Sequence, residues 1–276
     1  MVVIMYAIDF EYDGRHLSDY GFIVCRFNYT SGAQTASAGS KITFKTVPYH
    51  SGKKYGLVGV QYSECIQTTF DICKDPEIYD MSDRWITDDE YRDLMRWLNR
   101  SEFLKFQVIN EDDRNADPCF FEGSFNIEKI KIREVLYGLR LTLTTNRPFG
   151  YGIERVHNLV FPDANTTRTI RDLSDSTGNI YPKLSILCKV AGDYTISNEL
   201  TGCKTAIRNC IKKEVITIDC FNHVISTNNV AHDICNDFNY DFFSIGNTID
   251  NRDNKISVSL PCEIELRYSP IIKDVP

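Results

Sequence analysis

Hydrophobic and polar residues alternate along most of the chain, which is the pattern of β-strands with one buried face. The segments Leu139–Leu143 and Ile216–Cys220 show this alternation clearly. From Ile256 to Tyr268 the apolar residues keep one parity, although Pro261 interrupts the series. Because proline cannot donate a ladder hydrogen bond, we predict either an edge strand or two strands that meet at this proline. The pattern therefore predicts a mainly β protein.

The parity of the apolar residues changes once, around Glu128. Phe125 and Ile127 lie at odd positions, whereas Ile130 and Ile132 lie at even positions. A strand cannot move its buried residues to its other face without an extra residue. We therefore predict a bulge or a break near Glu128.

One segment, residues 86–99, has the pattern of an amphipathic α-helix. Thr87 and Glu90 have the T-x-x-E spacing of a capping box. Acidic residues follow Thr87, where the helix dipole favours negative charge. Apolar residues then recur at helical spacing, and we expect this stripe to be buried: Tyr91, Leu94, Met95 and Leu98.

The alternation stops at Asn146–Gly152, which contains a proline and two glycines. We place a boundary here, between an N-terminal domain of residues 1–148 and a C-terminal domain of residues 149–276. The second domain is rich in Asn and Asp turns between short strands, which favours a β-sandwich. In the first domain, the small polar residues within 28–56 predict a long loop or arm between strands.

The chain of 276 residues carries 31 basic and 38 acidic residues, a formal net charge of −7. This excess of acid argues against a nucleic-acid partner, whose phosphates require a basic surface. No apolar run is long enough for a membrane-spanning helix, and the first ten residues lack the basic start of a signal peptide. We therefore expect no nucleic acid and no membrane as partners, and synthesis in a cytoplasm.

Ten cysteines need an explanation in a chain without an export signal. No two of them form C-x-x-C, and no histidine lies at zinc-finger spacing from a cysteine pair. Cys220 and Cys262 each continue an alternating apolar series. We expect most of the cysteines to be small, buried and reduced side chains.

The sequence offers no motif for catalysis or for a cofactor. The glycines of Gly56–Gly59 and Gly150–Gly152 lack the spacing of a phosphate-binding loop, and the five histidines form no H-x-x-x-H. The segment Asp250–Lys255 lacks the central glycine and the closing glutamate of a calcium loop, so we expect a hairpin turn. We predict no catalytic residue, no cofactor and no metal, while a triad assembled from distant residues stays open.

Several segments, in this order and spacing, resemble the family of siphophage distal tail proteins, and the resemblance spans nearly the whole chain. The segments that carry it are Phe10–Val24, Ala38–Val47, Tyr62–Lys74, Ile86–Phe103, Leu136–Phe149, Glu214–Asp219 and Gly246–Asn247. Proteins of this family form hexameric rings that join the tail tube to the tail-tip or baseplate proteins. The N-terminal domains build the ring, and a galectin-like β-sandwich projects outward.

The resemblance implies a β-sandwich-like N-terminal domain with one α-helix and a long arm, followed by a galectin-like sandwich of jelly-roll type. It implies a homohexamer with a tail tube protein and a tail-tip protein as partners, no enzyme activity, and a place in the virion tail tip. Assembly would occur in the cytoplasm of a bacterial host, from a phage or a prophage. The arm would contact a neighbouring subunit through seven residues: Thr30, Ser31, Gln34, Ser37, Lys41, Thr43 and Lys45.

Two other functions stay open. The second domain could be an adhesin module that binds a host cell-surface glycan through Tyr240 and Phe242, although both are also plausible core or turn residues. It lacks a tryptophan, since Trp85 and Trp97 lie in the first half, so galactoside binding is not implied. The third hypothesis is a hydrolase with an unrecognised site.

Overall fold

The computed structural model of the chain describes residues 8–25, 27, 42–50, 52, 54–62, 65–109, 118–164 and 166–273, and the counts of strands and helices refer to these residues. The chain divides into two compact units between Gly152 and Ile153, and the residues from Ile272 onward group with the first unit. The boundary placed from the sequence falls a few residues earlier, between residues 148 and 149. No described helix is long and apolar enough to cross a membrane.

The first unit is built on one antiparallel sheet. Its strands, together with two that form a separate sheet, are β1 (Asp9–Tyr12), β2 (Arg15–His16), β3 (Phe22–Cys25), β4 (Ile42–Pro48), β5 (Tyr55–Tyr62), β6 (Gln67–Lys74), β7 (Leu104–Ile109), β8 (Phe120–Ile132), β9 (Val135–Thr145) and β10 (Gly150–Tyr151). The main path of the sheet has the strand order β2-β1-β7-β8-β9-β6-β3, and β10 pairs with β8. A two-stranded sheet of β4 and β5 stands apart from it.

The helix α1 (Asp88–Leu98) begins where the sequence predicts it. The Thr87 hydroxyl accepts a hydrogen bond from the Glu90 amide, and the Glu90 carboxylate accepts one from the Thr87 amide, so the predicted capping box is confirmed. The buried stripe differs from the predicted one, because Trp97 joins Leu94 and Leu98 in the core while Met95 is half-buried. Trp97 also donates its indole N–H to the Tyr12 carbonyl at 3.0 Å, which ties the helix to the sheet.

Aromatic rings fill the core between this helix and the sheet. Phe10 is fully buried, and its ring centroid lies 5.5 to 5.8 Å from the rings of Phe70, Trp97, Phe106 and Phe125. These rings come from four different strands and the helix, since β-strand alternation points one side of each strand inward. The core therefore holds the elements of the first unit together through one cluster.

A bulge lies near Glu128, as predicted, two residues further along the chain. Strand β8 pairs regularly with β9 through Glu128 and Arg140, and the register shifts between Ile130 and Lys131. Because Ile130 pairs with Gly138 and Lys131 pairs with Leu136, the extra residue of the bulge is Tyr137 on β9. Lys129 is exposed and places its ammonium 3.7 Å from the centre of the Tyr91 ring, whereas Ile130 is half-buried.

The second unit packs two antiparallel sheets around one hydrophobic core. Its strands are β11 (Arg155–Phe161), β12 (Thr167–Arg171), β13 (Gly178–Ile180), β14 (Lys183–Cys188), β15 (Gly192–Asn198), β16 (Lys204–Cys210), β17 (Val215–Asp219), β18 (Val224–Thr227), β19 (Ile245–Asn247), β20 (Asp253–Val258) and β21 (Cys262–Tyr268). One sheet has the order β11-β21-β14-β17-β18, the other has the order β12-β20-β15-β16, and β13 pairs with β19. The last strand, β22 (Ile271–Ile272), belongs to the sheet of the first unit, where it pairs with β10. A short helix, α2, spans Ile234–Asp237.

The series around Pro261 is two strands rather than one edge strand. Strand β20 lies inside the four-stranded sheet and β21 lies inside the five-stranded sheet, so the chain changes sheets at Pro261. Both strands direct their apolar parity into the shared core, where Ile256 and Leu266 are buried. The second of the two sequence-based alternatives is confirmed.

All ten cysteines lie in the described part of the chain, and none of them forms a disulfide. Four of them are buried in the core of the second unit, including the predicted Cys220 and Cys262. Four others are half-buried, so the prediction that most of the cysteines are buried is not confirmed: Cys25, Cys73, Cys119 and Cys203. Cys65 in the connection between β5 and β6, and Cys235 in the short helix α2, are exposed. These two lie outside the strand series whose alternation carried the prediction.

Candidate assembly interface

The hairpin of β4 and β5 is the most exposed apolar element of the first unit. Its strands pair with each other from Ile42↔Tyr62 to Pro48↔Tyr55 and, among the described strands, with no other. The register shifts between Lys45 and Thr46, where Val58 is the extra residue of a bulge on β5. The hairpin thus extends from the unit as a ribbon with two free edges.

The two faces of this hairpin differ in chemistry. Residues directly opposite each other in an antiparallel pair project to the same face. One face, hereafter the apolar face, carries Ile42, Phe44, Thr46, Pro48, Tyr55, Leu57, Val60 and Tyr62. The polar face carries Thr43, Lys45, Val47, Gly56, Gly59 and Gln61.

The base and the tip of the hairpin are both held by specific contacts. At the base, the half-buried Tyr62 ring packs edge-on against Phe149 at 5.9 Å. At the tip, the Tyr49 amide donates to the Lys54 carbonyl and the Gly52 amide donates to the Tyr49 carbonyl, each at 2.8 Å. Gly52 has φ +64°, a conformation that suits glycine in a tight turn. The ribbon is therefore a formed element before any partner covers it.

Large side chains of the apolar face are exposed together. Ile42, Phe44 and Val60 belong to this group, as do Tyr55 and Leu57. Exposed apolar residues scattered singly are ordinary, but a contiguous apolar patch marks an interaction surface. The apolar face therefore has the properties of an interface that is uncovered in the single chain.

Two of the residues predicted from the resemblance to contact a neighbour, Thr43 and Lys45, lie on the polar face of this hairpin. The other five, Thr30, Ser31, Gln34, Ser37 and Lys41, lie outside the described residues. Sequence reasoning missed the apolar face, although the alternation of Ile42-Thr-Phe-Lys-Thr-Val47 was its signal. The small polar residues that precede it directed attention to a loop instead.

The two predicted glycan contacts lie together in the second unit but differ in availability. Tyr240 is 61% exposed, and its hydroxyl donates to the Cys235 carbonyl at 2.9 Å. Phe242 is half-buried, because His223 stacks on its ring at 4.5 Å and Phe238 packs edge-on at 5.1 Å. Glycan contact through these two rings stays a prediction.

One cluster of ionisable groups in the second unit is mostly buried, with the side chains of His232 and Glu214 almost fully covered. His232 Nδ1 lies 2.6 Å from Glu214 Oε1, and His232 Nε2 lies 3.2 Å from Asp237 Oδ2. Burial opposes the charge on His232, but the hydrogen bond and charge of Glu214, with the charge of Asp237, outweigh it and raise its pKa. Burial likewise opposes the charge on Glu214, but hydrogen bonds from Thr227, His232 and the Ile211 amide lower its pKa. The geometry is that of a structural ion pair without substrate access.

Within the described residues, no three His, Cys, Asp or Glu side chains are placed to hold a metal ion. The segment Asp250–Lys255 lies at the turn before β20, where the Thr248 amide donates to the Asn251 carbonyl at 2.9 Å. A turn is therefore observed at this position, but it is not the predicted hairpin, because β19 before it and β20 after it pair in different sheets.

Two family models match the chain. One, described as a phage tail protein N-terminal domain, matches residues 5–147, and the other, described as a phage tail C-terminal domain, matches residues 149–268. The chain belongs to this family of phage tail proteins.

Among solved structures, the chain is similar to the Dit protein of phage SPP1, which is described as a paradigm of the hub adsorption apparatus in phages that infect Gram-positive bacteria. The TM-score is 0.64 at 12% sequence identity, and the match covers 95% of this chain and 98% of the SPP1 chain. The predicted resemblance to siphophage distal tail proteins and the predicted mainly β fold are confirmed. No curated protein sequence matches the chain.

Proposed function

We propose that this protein forms a ring in the tail tip of a phage or prophage-derived particle, and that the ring joins the tail tube to the tail-tip proteins. The observation that carries the proposal is the uncovered apolar face of the β4–β5 hairpin in a chain of a phage tail family. A ring requires that two different surfaces of each subunit meet and that the rotation between subunits closes. A projecting ribbon that reaches another copy supplies one such surface.

The likeness to a hub protein supports a position between the tube and the tip, and the sixfold symmetry follows from the resemblance to distal tail proteins. The partners are then further copies of this chain, a tail tube protein and a tail-tip protein. Assembly takes place in the bacterial cytoplasm before release. The role assigned to the chain is structural, without a catalytic step.

Mass photometry and negative-stain imaging of the full chain over a range of concentrations test this function. We expect particles of about 190 kDa, six times the chain mass of 31.7 kDa, with a central opening. Tails assembled in a host that lacks the gene should stop at the tube end, and supplying the gene should restore the tip. A chain that stays at 31.7 kDa at the highest concentration, together with normal tails in its absence, would refute the proposal.

A further inference from the structure

A second exposed apolar surface of the first unit lies in the connection between β6 and α1. Ile78, Met81 and Trp85 of this connection are exposed, and Met81 is the most exposed of them at 83%. Residues 75–89, hereafter the acidic loop, hold these three side chains within a short stretch of chain. Aromatic residues and Met are enriched in protein–protein interfaces, and the centre of such an interface is mainly apolar.

The backbone of the acidic loop is fixed by hydrogen bonds from Lys74 and Arg84. The buried Lys74 places its ammonium 2.7 Å from Glu90 Oε1 and donates to the Asp83 carbonyl at 3.2 Å. Arg84 donates from Nε to the Tyr79 carbonyl at 3.2 Å and from Nη2 to the Pro76 carbonyl at 3.3 Å. Because both cations are used to fix the backbone, the loop presents its apolar side chains with little ordering cost on binding.

The rim of this loop is strongly negative. Between residues 75 and 93 the chain has eight acidic residues and two basic ones. No described cation lies within ion-pair distance of the exposed rim carboxylates, which belong to Glu77, Asp80, Asp83, Asp88 and Asp89. A partner with basic residues around an apolar centre would match this surface.

The β4–β5 hairpin has that opposite character. Between Ile42 and Tyr62 the chain contains no Asp or Glu, but it contains three basic residues: Lys45, Lys53 and Lys54. This basic stretch stands out in a chain of net charge −7. The side chain of Lys45 projects from the polar face of the hairpin. Because the hairpin is only two strands wide, with the strands about 5 Å apart, this long side chain can bend around the strand edge to reach a carboxylate of the acidic loop.

We infer that the apolar face of the hairpin of one copy docks on Ile78, Met81 and Trp85 of the acidic loop of the next copy. The inference rests on the proposed ring and names the two surfaces that meet in it. Charge complementarity favours a second copy of this chain as the partner of the acidic loop, because the same chain carries both the basic hairpin with its apolar face and the acidic loop with its exposed apolar side chains. The two surfaces are different, so the contact is heterologous, as a ring requires.

Charge reversal in trans tests the inference. The hairpin variant K45E/K54E and the loop variant D80K/D83K should each need about tenfold or more higher concentration to assemble, because like charges would then face each other. Mixed one to one, they should assemble at wild-type concentration into particles with equal numbers of both, since each hairpin then faces a loop of opposite charge. The matched variant K204E/K212E, in the second unit, should assemble as wild type.

A photo-crosslinker at Val60 gives an independent readout, with Val47 on the polar face as its control. We expect crosslinks from Val60 to a peptide of residues 75–89 of another copy, and none from Val47. If the wild type forms rings but the two charge variants also do so normally, or do not complement each other when mixed, the docking inference is wrong and the ring stands. Crosslinks to a different protein of the tail in place of the acidic loop would also overturn it. Failure of the wild type to assemble at all would instead remove the proposed function.

Discussion

Substitution of Val60 or Val47 by aspartate tests which face of the hairpin forms the contact, because the same chemical change is made once on each face. The two valines are 55% and 54% exposed in the single chain, but Val60 lies on the apolar face and Val47 on the polar face. Both substitutions change the net charge equally, so their difference reports the face alone. The folded single chain should tolerate both, because exposed substitutions change the free energy of unfolding by about 0.5 kcal/mol or less.

The loss of association free energy expected for V60D can be worked out from the exposed area of Val60. Burying a whole valine side chain stabilises by about 1.5–3 kcal/mol, so covering the exposed half of Val60 contributes roughly 1 kcal/mol. An uncompensated carboxylate left in the contact adds about 3 kcal/mol, for a total of roughly 4 kcal/mol, or about a thousandfold in the dissociation constant. Even a quarter of this free-energy cost would raise the dissociation constant of the assembly about fivefold.

Sedimentation velocity over a concentration series measures the effect, and circular dichroism melting checks that each variant is folded. We expect V60D to remain a single chain at concentrations where the wild type and V47D assemble. Equal weakening by V60D and V47D, with intact melting transitions, would show that the apolar face is not the contact surface.

Three further predictions concern the folded units. Phe10→Ala removes the ring shared by four aromatic neighbours and should lower the free energy of unfolding by about 3–5 kcal/mol in a denaturant titration, whereas a loss under 1 kcal/mol would contradict the described core. Thr87→Ala should cost about 1 kcal/mol in the same assay because α1 loses its cap, and an unchanged midpoint would count against that role. His232→Asn should lower the free energy of unfolding most between pH 4.5 and 6.5, which are the ordinary pKa values of Glu214 and His232. Because the pKa of His232 is raised, its contribution to stability is complete below pH 6.5 and is lost as the pH rises through the raised value. Because the pKa of Glu214 is lowered, its contribution is lost as the pH falls below 4.5. A stability difference from the wild type that does not change with pH would contradict this ion pair.

Local patterns in the sequence predicted the elements that depend on neighbouring residues. The capping box of Thr87 and Glu90 works through backbone groups within one turn, so its spacing alone identified the start of α1. The alternation before and after Pro261 predicted which residues face the core, although it left open whether they form one edge strand or two strands that meet at the proline. In both cases the pattern and the contact lie within the same stretch of chain.

Long-range contacts explain where prediction failed. The change of parity near Glu128 predicted an extra residue in β8, but the extra residue of the bulge is Tyr137 on the paired strand β9, which the sequence of β8 alone could not show. The apolar face of the hairpin could not be distinguished from a core-facing side by alternation alone. Only the pairing of β4 with β5, and with no other described strand, shows that this face is uncovered.

The bulge at Val58 also bears on the solubility of the free subunit. A flat ribbon with two open edges would recruit strands from other copies and grow into an indefinite sheet. The bulge increases the local twist of β5, and Pro48 and Lys45 place a missing donor and a charge on β4, so both edges resist strand addition. Association through the strand edges is therefore disfavoured, and the contact proposed between copies is left to a face of the ribbon, which has a defined end.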